Sequence, residues 1–196
     1  MKWLLFLTFA YLLGTVPTGL LVARVMGGLD PRSAGSGNIG ATNVGRTLGR
    51  KAGAITLVGD VLKGFIPTAW AYGAFSSPWA VATVGLAAFF GHLYPFYLGF
   101  KGGKGVATGL GVFLAATPGS LFWAVIVFAA VVWRARMVSL GSMAAAGALP
   151  LISAFLDQPL ALVALALVVA ALTIYKHRGN IERILAGTEN RVGQTI

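Results

Sequence analysis

Two lysines and four glycines lie close together in residues 99–105, Gly-Phe-Lys-Gly-Gly-Lys-Gly, between two apolar segments. Lysines beside unshielded backbone amides at the start of a helix offer positive charge and N–H donors, which a phosphate requires. The segment is not a P-loop, because Gly105 stands where Ser or Thr should follow the lysine, so ATP hydrolysis is not predicted. The pattern predicts an anion site, and topological charge is the alternative explanation of the lysines. The candidates are Lys101, Gly102, Gly103, Lys104 and Gly105.

A second polar motif covers residues 35–43, Gly-Ser-Gly-Asn-Ile-Gly-Ala-Thr-Asn. A loop of this composition can direct several backbone N–H groups at one anion, although a flexible loop would have the same composition. Arg46 favours the anion site, because a guanidinium can bind a phosphate with two parallel hydrogen bonds. The candidates here are Ser36, Gly37, Asn38, Ile39, Gly40, Ala41, Thr42, Asn43 and Arg46.

Residues 177–183, His-Arg-Gly-Asn-Ile-Glu-Arg, form a third motif, with Glu189 beyond it. His177 could donate a hydrogen bond or accept a proton near neutral pH. A basic segment that follows an apolar one is also typical of a lipid-facing anchor. Apolar residues at helical spacing predict a short helix over residues 181–186, with Asn180 as its N-cap.

Polar residues inside or at the ends of apolar segments are further candidates. Asp60 and Lys63 are three residues apart, and an unpaired charge inside a membrane costs about 2.5–3.5 kcal/mol. We therefore predict that they pair with each other or contact the site. His92 has two interpretations, a helix-packing hydrogen bond or a role in the site. Capping is favoured for Ser139 and Ser142, which open a helix, and Ser142 is also a candidate substrate contact.

The composition is typical of a membrane protein. Of 196 residues, 57% are hydrophobic and 10% are charged, whereas soluble domains have about 25% charged residues. The absence of cysteine excludes disulfides and thiolate metal sites. The net charge is +10, but the basic residues are dispersed between apolar segments, which argues against nucleic-acid binding.

Seven segments are candidates for membrane spans. If all seven cross, every Lys and Arg except Lys2 and Lys63 lies on one side, which the positive-inside rule makes cytoplasmic. The predicted fold is all-α, a single seven-helix membrane domain over residues 1–196, with the N-terminus outside, the C-terminus cytoplasmic and short interfacial helices in the loops. The fourth segment is short, so its complete crossing is open. The segments are 3–26, 52–73, 79–100, 105–117, 119–135, 139–156 and 159–175.

The three motifs in this order resemble those of the PlsY family, the bacterial membrane glycerol-3-phosphate acyltransferases that use acyl phosphate. The resemblance covers the whole chain, including the segment layout and the pair Asp60 and Lys63. It implies transfer of a fatty acyl group from acyl phosphate to the 1-hydroxyl of glycerol 3-phosphate, giving lysophosphatidic acid and phosphate. It also implies an active site at the cytoplasmic face of the bacterial inner membrane.

The resemblance suggests roles for the candidate residues. The loop 37–43 would bind the phosphate of acyl phosphate, while Lys101 and Arg178 would add positive charge. Direct attack is expected, because acyl phosphate has a good leaving group and needs no covalent enzyme intermediate. The proton acceptor is open between His177, Asp60 and a substrate phosphate oxygen, whose second pKa near 6 suits neutral pH. The residues expected to hold glycerol 3-phosphate are Ser36, Arg46, Lys104, His177 and Asn180, and all of these except Arg46 are also the expected catalytic residues.

No cofactor and no metal site is expected, and the expected partners are the two substrates and the lipid bilayer. The sequence does not determine the oligomeric state, and a monomer is favoured. A transporter of phosphate-like anions is the rival class, favoured only by Asp60 and Lys63; it would need polar residues along a path across the bilayer, whereas the motifs here lie on one face. A membrane phosphatase or another lipid-headgroup transferase is a second alternative.

Overall fold

The computed structural model describes residues 1–193, which contain ten α-helices, a short 3₁₀ turn at Phe96–Leu98 and no strand. The chain divides into two compact units, Met1–Ala116 and Thr117–Ile196. The helices of the first unit are α1 (Lys2–Thr15), α2 (Thr18–Val25), α3 (Ala41–Thr47), α4 (Arg50–Ala74), α5 (Pro78–Leu93) and α6 (Val106–Ala116). Those of the second unit are α7 (Pro118–Ala135), α8 (Val138–Phe155), α9 (Leu160–Lys176) and α10 (Arg178–Leu185).

The predicted span 3–26 is a bent pair, α1 and α2, which meet at an angle of 43°. Pro17 lies at the break, where it ends the regular backbone hydrogen bonding. Polar side chains satisfy the carbonyls freed there, as membrane interiors demand. The Lys63 ammonium donates to the Val16 carbonyl at 2.8 Å, and the Tyr97 hydroxyl donates to the Thr15 carbonyl.

Helix α4 packs very closely against α6 through glycines. A Cβ atom added to Gly64 would lie 2.2 Å from the Thr108 carbonyl oxygen, and one added to Gly111 would lie 2.0 Å from the Val61 carbonyl oxygen. Small residues let backbones approach in this way in membrane proteins. Since α6 follows the segment 99–105, this contact fixes where that segment ends.

The same helix α4 positions the other polar motif of the first unit. Gly53 of α4 lies against Gly45 of α3, where an added Cβ would come within 2.7 Å of the Gly45 Cα atom. Gly59 of α4 lies against Thr18 of α2. The next residue of α2, Gly19, packs against the carbonyl of Ile39, which belongs to the loop 35–43. Both polar segments of the first unit are therefore anchored on one helix.

In the second unit, the segment after α10 returns to the connection between α7 and α8. Arg136 has a φ of +58° at the end of α7, and its carbonyl accepts a hydrogen bond from the Val192 amide at 2.6 Å. Helices α9 and α10 meet at 56° around His177. The predicted helix 181–186 thus begins earlier, at Arg178. Asn180 lies in its first turn, so the prediction that Asn180 is its N-cap is wrong.

Several helices are long and apolar enough to cross a membrane. Four segments meet this condition among the described residues, and the two bent pairs raise the number to six. Val106–Ala116 is apolar but has only 11 residues, which span about 16 Å. Each of the seven predicted segments coincides with one of these helices or pairs. The number of crossings and the side of each terminus stay predictions. The four segments are Arg50–Ala74, Pro78–Leu98, Pro118–Ala135 and Val138–Phe155.

Candidate active site

Asn43 organises the loop 35–43. Its side chain is 2% exposed. Its Nδ2 donates to the carbonyls of Pro31, Ala34 and Asn38 at 2.8, 3.1 and 2.8 Å, and its Oδ1 accepts from the Ser36 amide at 2.8 Å. One side chain therefore closes the loop on itself, and the loop has a defined conformation that its composition did not reveal. The sequence also did not predict that residues 41–43 open helix α3.

The organised loop leaves several donors directed away from its own backbone. Within residues 1–193, the amides of Asn38, Ile39, Ala41 and Thr42 donate to no protein acceptor, whereas those of Gly37 and Gly40 do. Ser36 is exposed and Arg46 is half-buried. Arg46 makes no side-chain hydrogen bond or ion pair within the described residues. This group of donors is suited to an anion.

The glycines of residues 102–105 lie on the last turn of α5. The amides of Gly102 and Gly103 donate to the carbonyls of Leu93 and His92 at 3.1 and 3.2 Å, so they satisfy carbonyls that the end of a helix leaves without partners. Contact between a substrate and these two amides would require those bonds to open. Gly105 has a φ of +85°, and an added Cβ would lie 2.3 Å from the Phe89 ring. These glycines are therefore required by close packing and backbone conformation.

The two lysines of this segment differ in environment. Lys101 is exposed, and within residues 1–193 its side chain makes no hydrogen bond or ion pair. Lys104 is half-buried and lies two residues before α6. Gly105 accepts the first bond of that helix, from the Gly109 amide at 2.7 Å. Lys104 therefore lies next to the N-terminus of α6, where the helix dipole is positive. Both features favour the binding of an anion there.

Asp60 and Lys63 pair inside the first unit, as one of the two predicted alternatives requires. The Lys63 ammonium lies 2.9 Å from Asp60 Oδ1. His92 joins them, because its Nδ1 lies 3.8 Å from the same carboxylate oxygen. All three side chains are buried, between 2% and 4% exposed. The sequence predicted the pair, but it did not place His92 beside it.

His177 lies at the junction of α9 and α10 in the second unit and is 3% exposed. Its Nδ1 is 2.8 Å from the Thr173 carbonyl oxygen. A carbonyl only accepts, so Nδ1 carries a hydrogen, and Nε2 is the nitrogen that gains or loses a proton. Nε2 accepts a hydrogen bond in the neutral ring and donates one in the imidazolium.

Glu189 is the centre of the hydrogen bonding in the third motif. Its Oε1 accepts from Asn180 Nδ2 and from Ser139 Oγ, each at 2.7 Å, and its Oε2 accepts from Arg183 Nε at 2.8 Å. Burial raises the pKa of Glu189, but the hydrogen bonds from Ser139, Asn180 and Arg183 outweigh it, so the pKa lies below its usual value. The charged carboxylate thus fixes the orientation of the Asn180 side chain.

Neither serine of α8 caps that helix. Met137 is the N-cap and makes no side-chain capping bond. Ser139 donates to Glu189, as described, and Ser142 donates to the Val138 carbonyl at 2.9 Å within its own helix. The prediction of capping is therefore wrong for both residues, because the N-cap of α8 is Met137, two residues before Ser139. Arg178 is exposed, with its guanidinium 4.9 Å from the centre of the Tyr175 ring.

Comparison with known proteins adds to this geometry. The sequence pattern of the family described as "Glycerol-3-phosphate acyltransferase" matches residues 4–187. The chain is 55% identical over 183 residues to the glycerol-3-phosphate acyltransferase of Geobacter sulfurreducens, over 93% of each chain. It is 45% identical to that of Aquifex aeolicus, over 97% of this chain and 100% of the relative. The chain belongs to the glycerol-3-phosphate acyltransferase family.

Solved structures of this family agree in fold. The chain is similar to a crystal structure of PlsY (YgiH), described as an integral membrane glycerol 3-phosphate acyltransferase, in its glycerol 3-phosphate form, with 43% identity and a TM-score of 0.94 over 98% of this chain and 96% of that one. The lysophosphatidic acid form of PlsY has 42% identity and a TM-score of 0.92, with the same coverage. The all-helical membrane fold expected from the sequence is therefore confirmed at this level.

The sequence predicted Asn43 as a member of the phosphate-binding loop and not as the residue that organises it, and it assigned no definite role to Glu189. The available signal for Glu189 was the scarcity of carboxylates, since the chain has five Asp and Glu residues in total and this one follows the third motif. An unpaired buried carboxylate is costly, so a nearby set of donors could have been expected. For Asn43 the signal was weaker, because asparagine is common in loops for several reasons.

Proposed function

We propose that this chain transfers a fatty acyl group from acyl phosphate to the 1-hydroxyl of glycerol 3-phosphate, giving lysophosphatidic acid and phosphate. The observation that carries the proposal is the likeness to PlsY in its glycerol 3-phosphate form, which extends over 98% of this chain. Relatives of nearly the same length are named glycerol-3-phosphate acyltransferase.

The charges of the loops support two phosphorylated substrates. Three of the five carboxylates are already paired, Asp30 with Arg32, Asp60 with Lys63 and Glu189 with Arg183. Arg46 and Lys101 have no ion-pair partner within residues 1–193. These two cations, and the loop amides that have no acceptor within the described residues, are both suited to phosphate groups.

We assign the roles as follows. The amides of the loop 37–43 bind the phosphate of acyl phosphate, and Asn43 contributes by holding that loop in shape. Lys101 and Arg178 raise the local positive potential, and Ser142 is a further substrate contact. Lys104 is positioned against α5 by the glycines on either side of it, Gly102, Gly103 and Gly105. Glycerol 3-phosphate is held by Ser36, Arg46, Lys104, His177 and Asn180.

The chemistry requires no covalent enzyme intermediate. The 1-hydroxyl oxygen of glycerol 3-phosphate attacks the acyl carbonyl carbon, a new C–O ester bond forms, and the bond between that carbon and the phosphate oxygen breaks. The hydroxyl proton leaves to a phosphate oxygen of the substrate, since Asp60 is engaged with Lys63. Positioning and stabilisation of negative charge supply the rate enhancement.

The membrane arrangement belongs to the same proposal. We place the chain in the bacterial inner membrane as a single domain with seven crossings, the N-terminus outside and the C-terminus and active site at the cytoplasmic face, as a monomer. In this arrangement α6 completes its crossing with the preceding segment 99–105. Single cysteines are clean probes because the chain has none. Labelling of Ser76→Cys from outside intact cells, and of Ser33→Cys only after permeabilisation, is the expected result; the reverse contradicts the orientation.

The deciding experiment uses purified protein with acyl phosphate and measures phosphate release with and without glycerol 3-phosphate. Release that depends on the acceptor, with lysophosphatidic acid formed in equal amount, supports the proposal. Release without acceptor indicates a phosphatase. No release, together with anion uptake into vesicles that contain the protein, indicates a transporter. Arg46→Ala and Lys104→Ala should each raise KM for glycerol 3-phosphate, while Lys51→Ala on the exposed first turn of α4 is the matched control.

A further inference from the structure

The buried ionic cluster of the first unit lies outside the three polar motifs, and a buried ion pair is an inefficient way to stabilise a fold. Asp60, Lys63 and His92 are each between 2% and 4% exposed. Taking such groups out of water is costly, and replacing a buried ion pair with apolar residues of similar volume is often neutral or stabilising. In a chain that is 57% hydrophobic, a buried charge cluster therefore points to another role.

The cluster joins three parts of the first unit. Asp60 Oδ1 accepts from Lys63 Nζ at 2.9 Å, and His92 Nδ1, near the end of α5, lies 3.8 Å from the same oxygen, which is beyond hydrogen-bond distance but close enough for electrostatic contact. Lys63 also donates to the Val16 carbonyl at the break between α1 and α2, at 2.8 Å. His92 therefore packs against a pair that is itself hydrogen-bonded to the break between α1 and α2.

The Nε2 side of the His92 ring, opposite Nδ1, contacts the glycine segment at Gly103. A Cβ atom added to Gly103 would lie 2.2 Å from His92 Nε2 and 2.8 Å from its Cε1. The Gly103 amide also donates to the His92 carbonyl. The imidazole therefore stands between the Asp60 carboxylate and the backbone of residue 103, and Lys104 is the next residue along the chain. A shift of the ring would move this backbone.

We propose that Asp60, Lys63 and His92 are positioning residues, which hold the segment 102–105 and with it the Lys104 ammonium in the geometry that acyl transfer requires. They act through Lys104 and not by contact with the substrate. The kinetic part of this inference rests on the proposed function, whereas its structural part concerns the segment alone. The two parts have separate tests.

The kinetic test is a double-mutant cycle between His92 and Lys104. His92→Ala should lower kcat/KM for glycerol 3-phosphate by about 10²-fold, since a displacement near 1 Å has such an effect. In the Lys104→Ala background, His92→Ala should change kcat/KM by less than about threefold, because residues that act as a unit are not additive. If the two losses multiply, His92 does not act through Lys104 and the proposal is overturned.

The structural test does not depend on activity. A nitroxide label on Lys101→Cys, an exposed position of the same segment, reports the mobility of that segment by electron paramagnetic resonance. His92→Ala and the double variant Asp60→Asn with Lys63→Met should both raise this mobility. The second variant removes both charges together, so it keeps the test available if His92→Ala does not fold. The mobility of a label on Ser76→Cys, an exposed position in the connection after the C-terminus of α4, should not change.

Thr68→Val is the matched control, because Thr68 is buried on α4 and its hydroxyl donates only to the Gly64 carbonyl of its own helix. It should leave the label at position 101 unchanged. Unchanged mobility at 101 in both cluster variants, or an equal rise at 76, overturns the proposal. If the wild-type protein transfers no acyl group, the proposed function fails, and the label experiment still decides whether the cluster holds the segment.

Discussion

Asn180 donates its side-chain Nδ2 to Glu189 Oε1 at 2.7 Å, and both residues are buried. The same carboxylate binds Ser139 and Arg183. Asn180, which we propose binds glycerol 3-phosphate, is thus held by Glu189, a residue that does not contact the substrate in our proposal. The orientation of Asn180 is fixed by this bond, because an amide can rotate freely only where both its ends lack partners.

Glu189→Gln should destabilise the second unit and reduce activity. The amide NH₂ of glutamine cannot accept hydrogen bonds, so at least one of the three donors loses its acceptor, and the loss of a buried donor's acceptor costs about 1–3 kcal/mol. Thermal unfolding in detergent and kcat/KM measure the two effects. Glu182→Gln, on the exposed side of α10, is the control and should change neither. An unchanged melting temperature for Glu189→Gln would contradict this role.

The pH dependence gives a second readout of Glu189. Its pKa is lowered in the folded protein, despite burial, by its hydrogen bonds from Ser139, Asn180 and Arg183. Its contribution to stability is therefore fully present above its ordinary pKa of 4.5, and it is lost as the pH falls through the lower folded pKa. The melting temperature of the wild type should fall more steeply with acidification below 4.5 than that of Glu189→Gln. Parallel curves would show that Glu189 contributes nothing to this range.

Gly64→Ala should loosen the contact between α4 and α6. The added methyl group would meet the Thr108 carbonyl at 2.2 Å, and backbone atoms cannot move aside as a flexible side chain can. Overpacking of this kind typically costs about 1–3 kcal/mol. Gly73→Ala, on the same helix with open space around it, should be neutral or stabilising by up to about 1 kcal/mol, since alanine favours helix. Melting temperatures of the two variants in the same detergent test the difference, and equal values would refute it.

The positions of the helices could be predicted from the sequence, but the close packing between helices could not. Apolar length is a local property, so each predicted segment coincides with a helix or a bent pair. Glycine is ambiguous in sequence, because it serves close packing and exposed backbone equally well. Gly102 and Gly103 were predicted to present their amides to a phosphate, and only the fold reveals that His92 and Leu93 accept those bonds.

Hydrogen-bond partners distant in sequence could not be predicted either. Ser139 and Glu189 are 50 residues apart, whereas helix-capping rules consider only residues that are close in sequence. The motif residues themselves were recognisable because phosphate chemistry requires basic side chains and amides at particular spacings. Sequence therefore identifies the chemical groups, while the groups that hold them, such as Asn43 and Glu189, depend on the tertiary structure.

Asn43→Asp should destabilise the loop 35–43 more than Asn38→Asp. Asn43 donates to three carbonyls, and aspartate would place lone pairs against those oxygens, with a cost of about 1–3 kcal/mol for the unsatisfied groups. Asn38 uses its Oδ1 to accept the Gly40 amide at 2.9 Å, a bond that aspartate keeps. Both variants add one negative charge to the same loop, so the difference in melting temperature isolates the donors. Equal losses would show that charge, and not hydrogen bonding, is responsible.

His177 distinguishes a substrate-assisted reaction from one with a dedicated base. Its Nδ1–H donates to the Thr173 carbonyl, so Nε2 either donates to the glycerol 3-phosphate as imidazolium or accepts the hydroxyl proton as neutral imidazole. In our proposal it positions substrate, so His177→Ala should raise KM for glycerol 3-phosphate and lower kcat by less than about 10⁴-fold. His177→Gln retains an N–H donor and should recover part of the loss. If both variants instead lose more than about 10⁴-fold in kcat with KM unchanged, His177 is the base. The substrate phosphate then no longer has that role, because a single proton leaves the attacking hydroxyl.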